Sequence, residues 1–93
     1  MSAQESAETL ALQSLTWIAA DDELLGAFLN ASGISVGEIP ARAGDPAFLA
    51  SVLDFLLTED RWIMAFCDAT GLRYDAPMRA RTVLPGGEAT NWT

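Results

Sequence analysis

The sequence predicts an all-α fold, a compact bundle of about five helices. Apolar residues recur every three or four positions in several stretches that end near glycine or proline, as in amphipathic helices. No stretch shows a convincing alternation of apolar and polar residues, which would indicate a strand. With 93 residues, of which 51% are hydrophobic, the chain is large enough for one hydrophobic core.

The first helix is predicted at residues 4–20. Leu10 and Ile18 belong to a set of apolar residues at helical spacing, in a stretch that contains no glycine. Ser2 and Glu5 have the spacing of a capping box, in which each side chain accepts a hydrogen bond from the backbone of the other. The apolar arc of this helix is wide, so we expect it to be buried on more than one side.

The second and third helices are predicted at residues 22–32 and 46–58. Gly33 follows the second helix at the position where a left-handed backbone is common. Residues 37–44 form a connector in which a proline can open a short turn of helix. Pro46 then stands at the first position of the third helix, where its missing amide hydrogen leaves no bond unmade.

The last two helices are predicted at residues 59–70 and 76–84. Gly71 ends the first of these, and a Pro-Gly-Gly run ends the second. We therefore expect one helical domain at residues 1–85 and a mobile tail at residues 86–93.

Two segments of the chain resemble each other. Residues 22–34 align with residues 60–72, and five of the thirteen aligned positions are identical. Carried backwards, the same offset aligns the first predicted helix with the third. Two helical hairpins would then stack their apolar faces on each other. Amphipathic hairpins also share acidic starts and glycine stops for physical reasons, so duplication and convergent helix patterning both remain open. The aligned aromatic positions are Trp17 with Phe55 and Phe28 with Phe66.

Three further segments carry a family resemblance. They read FLNASGI at 28–34, DPAFLASVLDFLLTED at 45–60 and LPGG at 84–87. In these segments the chain resembles the small alphaproteobacterial proteins grouped as domain of unknown function 3572. The resemblance covers nearly the whole chain and implies a small cytosolic helical protein. It implies no activity, cofactor or functional residue.

The charge balance of the chain is strongly acidic. Thirteen acidic residues face five basic ones, all of them arginine, and the net charge is −8. Such a chain repels phosphate backbones, so we expect no direct binding of nucleic acid. The first residues do not resemble a secretory signal, and no apolar run is long enough to span a membrane. We expect a cytoplasmic protein that does not enter membranes.

The residue types argue against catalysis. The chain contains no histidine and no lysine, which are the common general base and the Schiff-base residue. Cys67 lies on an apolar stripe, where a thiol is inert. The carboxylates at 21–23 and 59–60 match no calcium loop and are explained by the preference of helix starts for negative charge. We expect no catalytic residue, no metal site and no cofactor.

The remaining class is protein binding. We expect a non-catalytic interaction module whose partner is an unidentified protein or a second copy of the chain, as in a homodimer. Interfaces are enriched in aromatic residues, methionine and arginine, so the predicted contact residues lie in the C-terminal third. The alternatives are an enzyme that uses carboxylates or a metal, and an acidic mimic of nucleic acid that binds a basic protein. The predicted contact residues are Trp62, Met78, Arg79 and Arg81.

Overall fold

The chain folds into six α-helices within residues 2–85, the part that the computed structural model describes. This part contains no strand, so the all-α prediction is confirmed. A short 3-10 helix, Val36–Glu38, precedes the third α-helix. The helices are α1 (Ala3–Ala19), α2 (Asp22–Ser32), α3 (Ile39–Arg42), α4 (Pro46–Leu56), α5 (Asp60–Thr70) and α6 (Ala76–Val83).

The helix count differs from the predicted five because the connector between α2 and α4 is itself helical. Pro40 lies in the first turn of α3, where the lack of an amide hydrogen costs no bond. In the turn before it, Glu38 Oε1 accepts hydrogen bonds from Ser35 N at 2.8 Å and Ser35 Oγ at 3.1 Å. The backbone bond first, and then the hydroxyl bond, lower the pKa of Glu38.

The ends of the helices follow from local chemistry. Asp21 begins α2 because its Oδ1 accepts hydrogen bonds from the amides of Glu23 at 2.9 Å and Leu24 at 3.2 Å. Gly33 and Gly71 end α2 and α5 with φ of 78° and 77°, a left-handed conformation that strains any residue with a Cβ. Each of the five predicted helices therefore has a counterpart within two residues of its predicted limits.

Helices α1 and α4 each pack against three other helices of the bundle. Helix α1 packs against α2, α4 and α6, and α4 also packs against α2 and α6. The buried residues of α1 recur three and four positions apart and so form one face, while Leu12 on the opposite side is 40% exposed, so the prediction that α1 is buried on more than one side is wrong. The largest fully buried apolar side chains are Phe28, Phe66, Ile18, Leu49, Leu53, Leu56, Leu84 and Val52.

Aromatic side chains join helix α5 to α1 and α4. Trp17 of α1 meets Phe66 edge to face, with ring centroids 5.9 Å apart. Phe55 of α4 stacks on Trp62 at 4.8 Å and meets Phe28 of α2 edge to face at 5.4 Å. A groove is present between the first halves of α2 and α5.

The body is nearly equal in all directions, with extents of 30, 29 and 26 Å and a radius of gyration of 12.5 Å. That radius is close to the roughly 12 Å expected of a compact chain of this length. No helix among residues 2–85 is long and apolar enough to cross a bilayer. The predicted tail at 86–93 lies outside the described residues, and the domain limits stay a prediction.

Candidate interaction surface

The four residues predicted to contact a partner lie at separate points of the surface. Trp62 stands near the start of α5, whereas Met78, Arg79 and Arg81 lie on α6. Trp62 and Arg79 line two different grooves, and Met78 is 55% exposed and lines neither of them. The four predicted contact residues therefore do not form one continuous surface.

Arg81 is engaged inside the fold. Its Nε and Nη2 donate to the two carboxylate oxygens of Asp54 on α4, at 2.6 and 3.3 Å, and Nη1 donates to the carbonyl of Pro85 at 3.1 Å. The side chain is only 14% exposed. This paired geometry is the strongest that arginine makes with a carboxylate. Arg81 thus joins α6 to α4, and little of its guanidinium remains for a partner.

Arg79 lies beside a groove of about 680 Å³ between the start of α1 and α6, here called the α1–α6 groove. Its side chain is 75% exposed, and its Nη1 lies 3.8 Å from Asp75 Oδ2. Arg73 Nε donates to Asp75 Oδ1 at 3.1 Å. The Arg73 hydrogen bond, followed by the charges of both arginines, lowers the pKa of Asp75. The two guanidinium groups are therefore partly neutralised by one carboxylate.

Trp62 lines a second groove, of about 530 Å³, here called the α2–α5 groove. It runs between the first halves of α2 and α5. Trp17 and Trp62 are both half-buried, so each indole packs on the core and still reaches the groove. The apolar lining consists of Trp17, Leu24, Ala27, Trp62 and Ala65, and the charged lining of Asp21, Glu23 and Arg61.

The charged groups of the α2–α5 groove differ in how they are used. Asp21 caps α2 and is committed to two backbone amides. The carboxylate of Glu23 forms no ion pair or hydrogen bond within residues 2–85. The guanidinium carbon of Arg61 lies 5.9 Å from the centre of the Trp62 ring, and its Nε lies 3.7 Å from Glu59 Oε1. The groove thus carries an uncompensated carboxylate and a cation above an indole.

One protein family matches nearly the whole length of the chain. A family model described as "Protein of unknown function (DUF3572)" matches residues 4–87. The chain belongs to the DUF3572 family. This confirms the resemblance seen in the sequence, while the alphaproteobacterial origin stays a prediction. No curated protein and no solved structure matches the chain.

Sequence reasoning missed most of the α2–α5 groove of the DUF3572 protein. It aligned Trp17 with Phe55 without assigning it to a surface, and it explained the carboxylates at 21–23 by a helix start. The repeat alignment contained the missing signal, because it pairs Leu24 with Trp62 and Ala27 with Ala65. The members of each pair come from different helices and line the same groove.

The loop between α5 and α6 of the DUF3572 protein holds its cysteine in an unreactive state. Cys67 is buried, and its Sγ donates to the carbonyl of Arg73 at 3.3 Å. Burial first, and then the charges of Asp68 and Asp75, raise the pKa of the Cys67 thiol. A thiol of this kind is a poor nucleophile at neutral pH. Among residues 2–85, no group of three or more histidine, cysteine or acidic side chains could hold a metal ion.

Proposed function

We propose that this DUF3572 protein is a cytoplasmic, non-catalytic interaction module that docks a partner protein in the α2–α5 groove. One observation carries the proposal: two half-buried tryptophans, Trp17 and Trp62, line the same groove. Tryptophan in a pocket that is rigid and partly shielded from water is the residue type most enriched at binding hot spots. The apolar lining and the few charged groups around it fit a protein-binding surface.

The residue chemistry supports binding rather than catalysis. With no histidine and no lysine in the chain, the most numerous candidates for a general base are carboxylates. The carboxylates of the groove are exposed to water, and Asp21 already caps a helix. Cys67 is buried and lines neither the α1–α6 groove nor the α2–α5 groove. These features favour a module that presents a surface.

We further propose that the groove arose by duplication of a helical hairpin, with α1–α2 equivalent to α4–α5. The aromatic contacts support this. Trp17 meets Phe66, and Phe55 meets Phe28, at centroid distances of 5.9 and 5.4 Å with interplanar angles of 66° and 73°. In the alignment Trp17 corresponds to Phe55 and Phe66 to Phe28, so the two contacts are the same contact made in both directions.

Such reciprocal contacts are the signature of a twofold relation between two units. The α2–α5 groove fits the same relation, since equivalent positions line its two sides: Leu24 faces the groove opposite Trp62, and Ala27 opposite Ala65. The groove would then lie on the internal twofold axis. A surface built where two units meet is a natural place for a partner to bind.

The proposal is tested by filling the groove without disturbing the core. Ala27 and Ala65 are exposed and line the groove, whereas Ala31 and Ala69 lie one helical turn further on and do not line it. The tagged wild-type chain should capture partner proteins in its host. The tagged double variant Ala27→Gln/Ala65→Gln should no longer capture them. The matched variant Ala31→Gln/Ala69→Gln should retain them. Quantitative mass spectrometry gives the comparison, and circular dichroism checks that both variants are folded.

Equal capture by both double variants would contradict docking in this groove. Light scattering with size-exclusion chromatography settles whether a second copy is the partner, because the chain mass is 9.9 kDa and a homodimer doubles it. A dimer that survives Ala27→Gln/Ala65→Gln would place the self-contact elsewhere.

A further inference from the structure

We propose that the α2–α5 groove binds a basic segment of a partner protein by placing an arginine or lysine side chain on the indole of Trp62. This inference rests on the proposed function, because it names the chemistry of the partner that the groove accepts. It adds a recognition rule: the groove selects cationic side chains over neutral or acidic ones.

The first support is the position of the Trp62 ring. Phe55 stacks on it with centroids 4.8 Å apart and an angle of 26° between the planes, so one face is covered and the ring is held in place. The other face remains for a second neighbour. The face of an aromatic ring carries negative charge density, and tryptophan binds cations best among the aromatic residues. An indole that is fixed on one face by Phe55 is a suitable platform for an ammonium or guanidinium group on its other face.

The second support is that the protein already places a cation there. Arg61 holds its guanidinium carbon 5.9 Å from the Trp62 ring centre. Its side chain is 75% exposed, and its nearest carboxylate, Glu59, is 3.7 Å away. An exposed pair at this distance is weak because water and salt screen it. Arg61 therefore occupies the indole face loosely, and the cation of a partner can replace it.

The third support is the charge around the groove. Glu23 has no charged or hydrogen-bonded partner within residues 2–85 and lines the same groove as Trp62. Residues 1–41, which include α1 and α2, contain six acidic residues and no basic one. An acidic surface draws basic partners and repels acidic ones. A second copy of a chain with net charge −8 is disfavoured for the same reason.

The test measures binding of tetra-arginine amide to the full chain by NMR at low salt, with tetra-glutamate as the acidic control. The expected result is a saturable shift of the Trp62 indole and Ala65 amide signals with tetra-arginine only. Glu23→Gln should weaken binding about two- to fivefold, and Arg61→Gln should strengthen it by a similar factor. Trp62→Phe keeps a ring on Phe55 and should weaken binding, measured at Ala65.

Glu8→Gln is the matched control for net charge. Glu8 is on α1, outside the groove lining, and accepts a hydrogen bond only from Gln4 at 3.1 Å within the described part of the chain. It should change the affinity less than twofold. Equal weakening by Glu8→Gln and Glu23→Gln would overturn the proposal, since net charge alone would then explain the binding. Equal binding of tetra-glutamate, or weaker binding after Arg61→Gln, would also overturn it.

The two proposals can fail separately. If the captured partner is lost with Ala27→Gln/Ala65→Gln but is unaffected by Glu23→Gln and Arg61→Gln, docking in the groove stands and cation recognition is wrong. If capture of the partner is also unchanged in Ala27→Gln/Ala65→Gln, the proposed function itself is wrong.

Discussion

Tyr74 shows how one exposed hydrogen bond changes the titration of a residue. Its hydroxyl donates to Asp68 Oδ1 at 2.7 Å. This hydrogen bond first, and then the charge of Asp68, raise the pKa of Tyr74, because loss of the phenol proton removes the bond and brings two negative charges together. The pair bridges the end of α5 to the loop that leads into α6.

We predict that Asp68→Asn lowers the pKa of Tyr74 towards its ordinary value of about 10. Tyr74 is the only tyrosine in the chain, so the ultraviolet absorbance of tyrosinate reports its titration directly. The raised pKa means that the pair stabilises the fold below pH about 10, and that this contribution is lost as pH rises through the folded-state pKa. An unchanged titration in Asp68→Asn, with Glu8→Gln as control, would disprove the assignment.

At the scale of single elements, the sequence contains enough information to place the helices. The signals for starts and ends act within a few residues: Asp21 accepts amide bonds from positions two and three ahead, and Gly33 and Gly71 supply the left-handed ends. The helical connector was harder to predict. Its turn depends on the Ser35–Glu38 bonds, and no apolar stripe marks a helix as short as α3.

The role of Arg81 could not be predicted from the sequence, because its partner is distant in the chain, whereas Arg79 pairs with Asp75 four residues before it. Asp54, which pairs with Arg81, is 27 residues away and on another helix. Local pattern makes Arg79 and Arg81 look alike, two exposed arginines on one short helix. Packing distinguishes them by turning Arg81 towards α4. The α2–α5 groove escaped prediction for a similar reason, since Trp17 and Trp62 line one groove only in the folded chain.

We predict that Arg81→Ala lowers the free energy of unfolding by about 1–2 kcal/mol. This loss is smaller than for a fully buried charged hydrogen bond, because the Asp54 side chain is half exposed to water. The matched variant Arg79→Ala should change stability by no more than about 0.5 kcal/mol, since its pair with Asp75 is long and exposed. Urea denaturation followed by circular dichroism measures both. Equal losses would mean that the Asp54 pair does not secure α6.

At the scale of the whole molecule, aromatic rings join the two proposed hairpins, α1–α2 and α4–α5. Trp17 from the first hairpin reaches α5 in the second, and Phe55 from the second reaches α2 in the first. Neither hairpin can bury these rings alone, because each ring finds its partner on the other hairpin. The bundle should therefore unfold as one cooperative unit, with the groove depending on both halves.

Double-mutant cycles test whether the two contacts are equivalent. For Trp17→Leu with Phe66→Leu, and for Phe55→Leu with Phe28→Leu, we expect coupling energies of about 0.5–1.5 kcal/mol, similar in the two cycles. Leucine keeps each site apolar and limits the cavity that alanine would leave. The crossed cycle, Trp17→Leu with Phe28→Leu, joins rings that form no aromatic pair within residues 2–85 and should show weaker coupling.

The cycles also bear on the origin of the fold. If the hairpins derive from one duplicated unit, the two contacts derive from a single contact. Their coupling energies should then be alike, although one contact pairs tryptophan with phenylalanine and the other pairs two phenylalanines. Strong coupling in one cycle and none in the other would mean that the reciprocal geometry carries no shared energetics. The resemblance of residues 22–34 to 60–72 would then reflect only the common requirements of amphipathic helices, and the α2–α5 groove would not be the seam between two equivalent units.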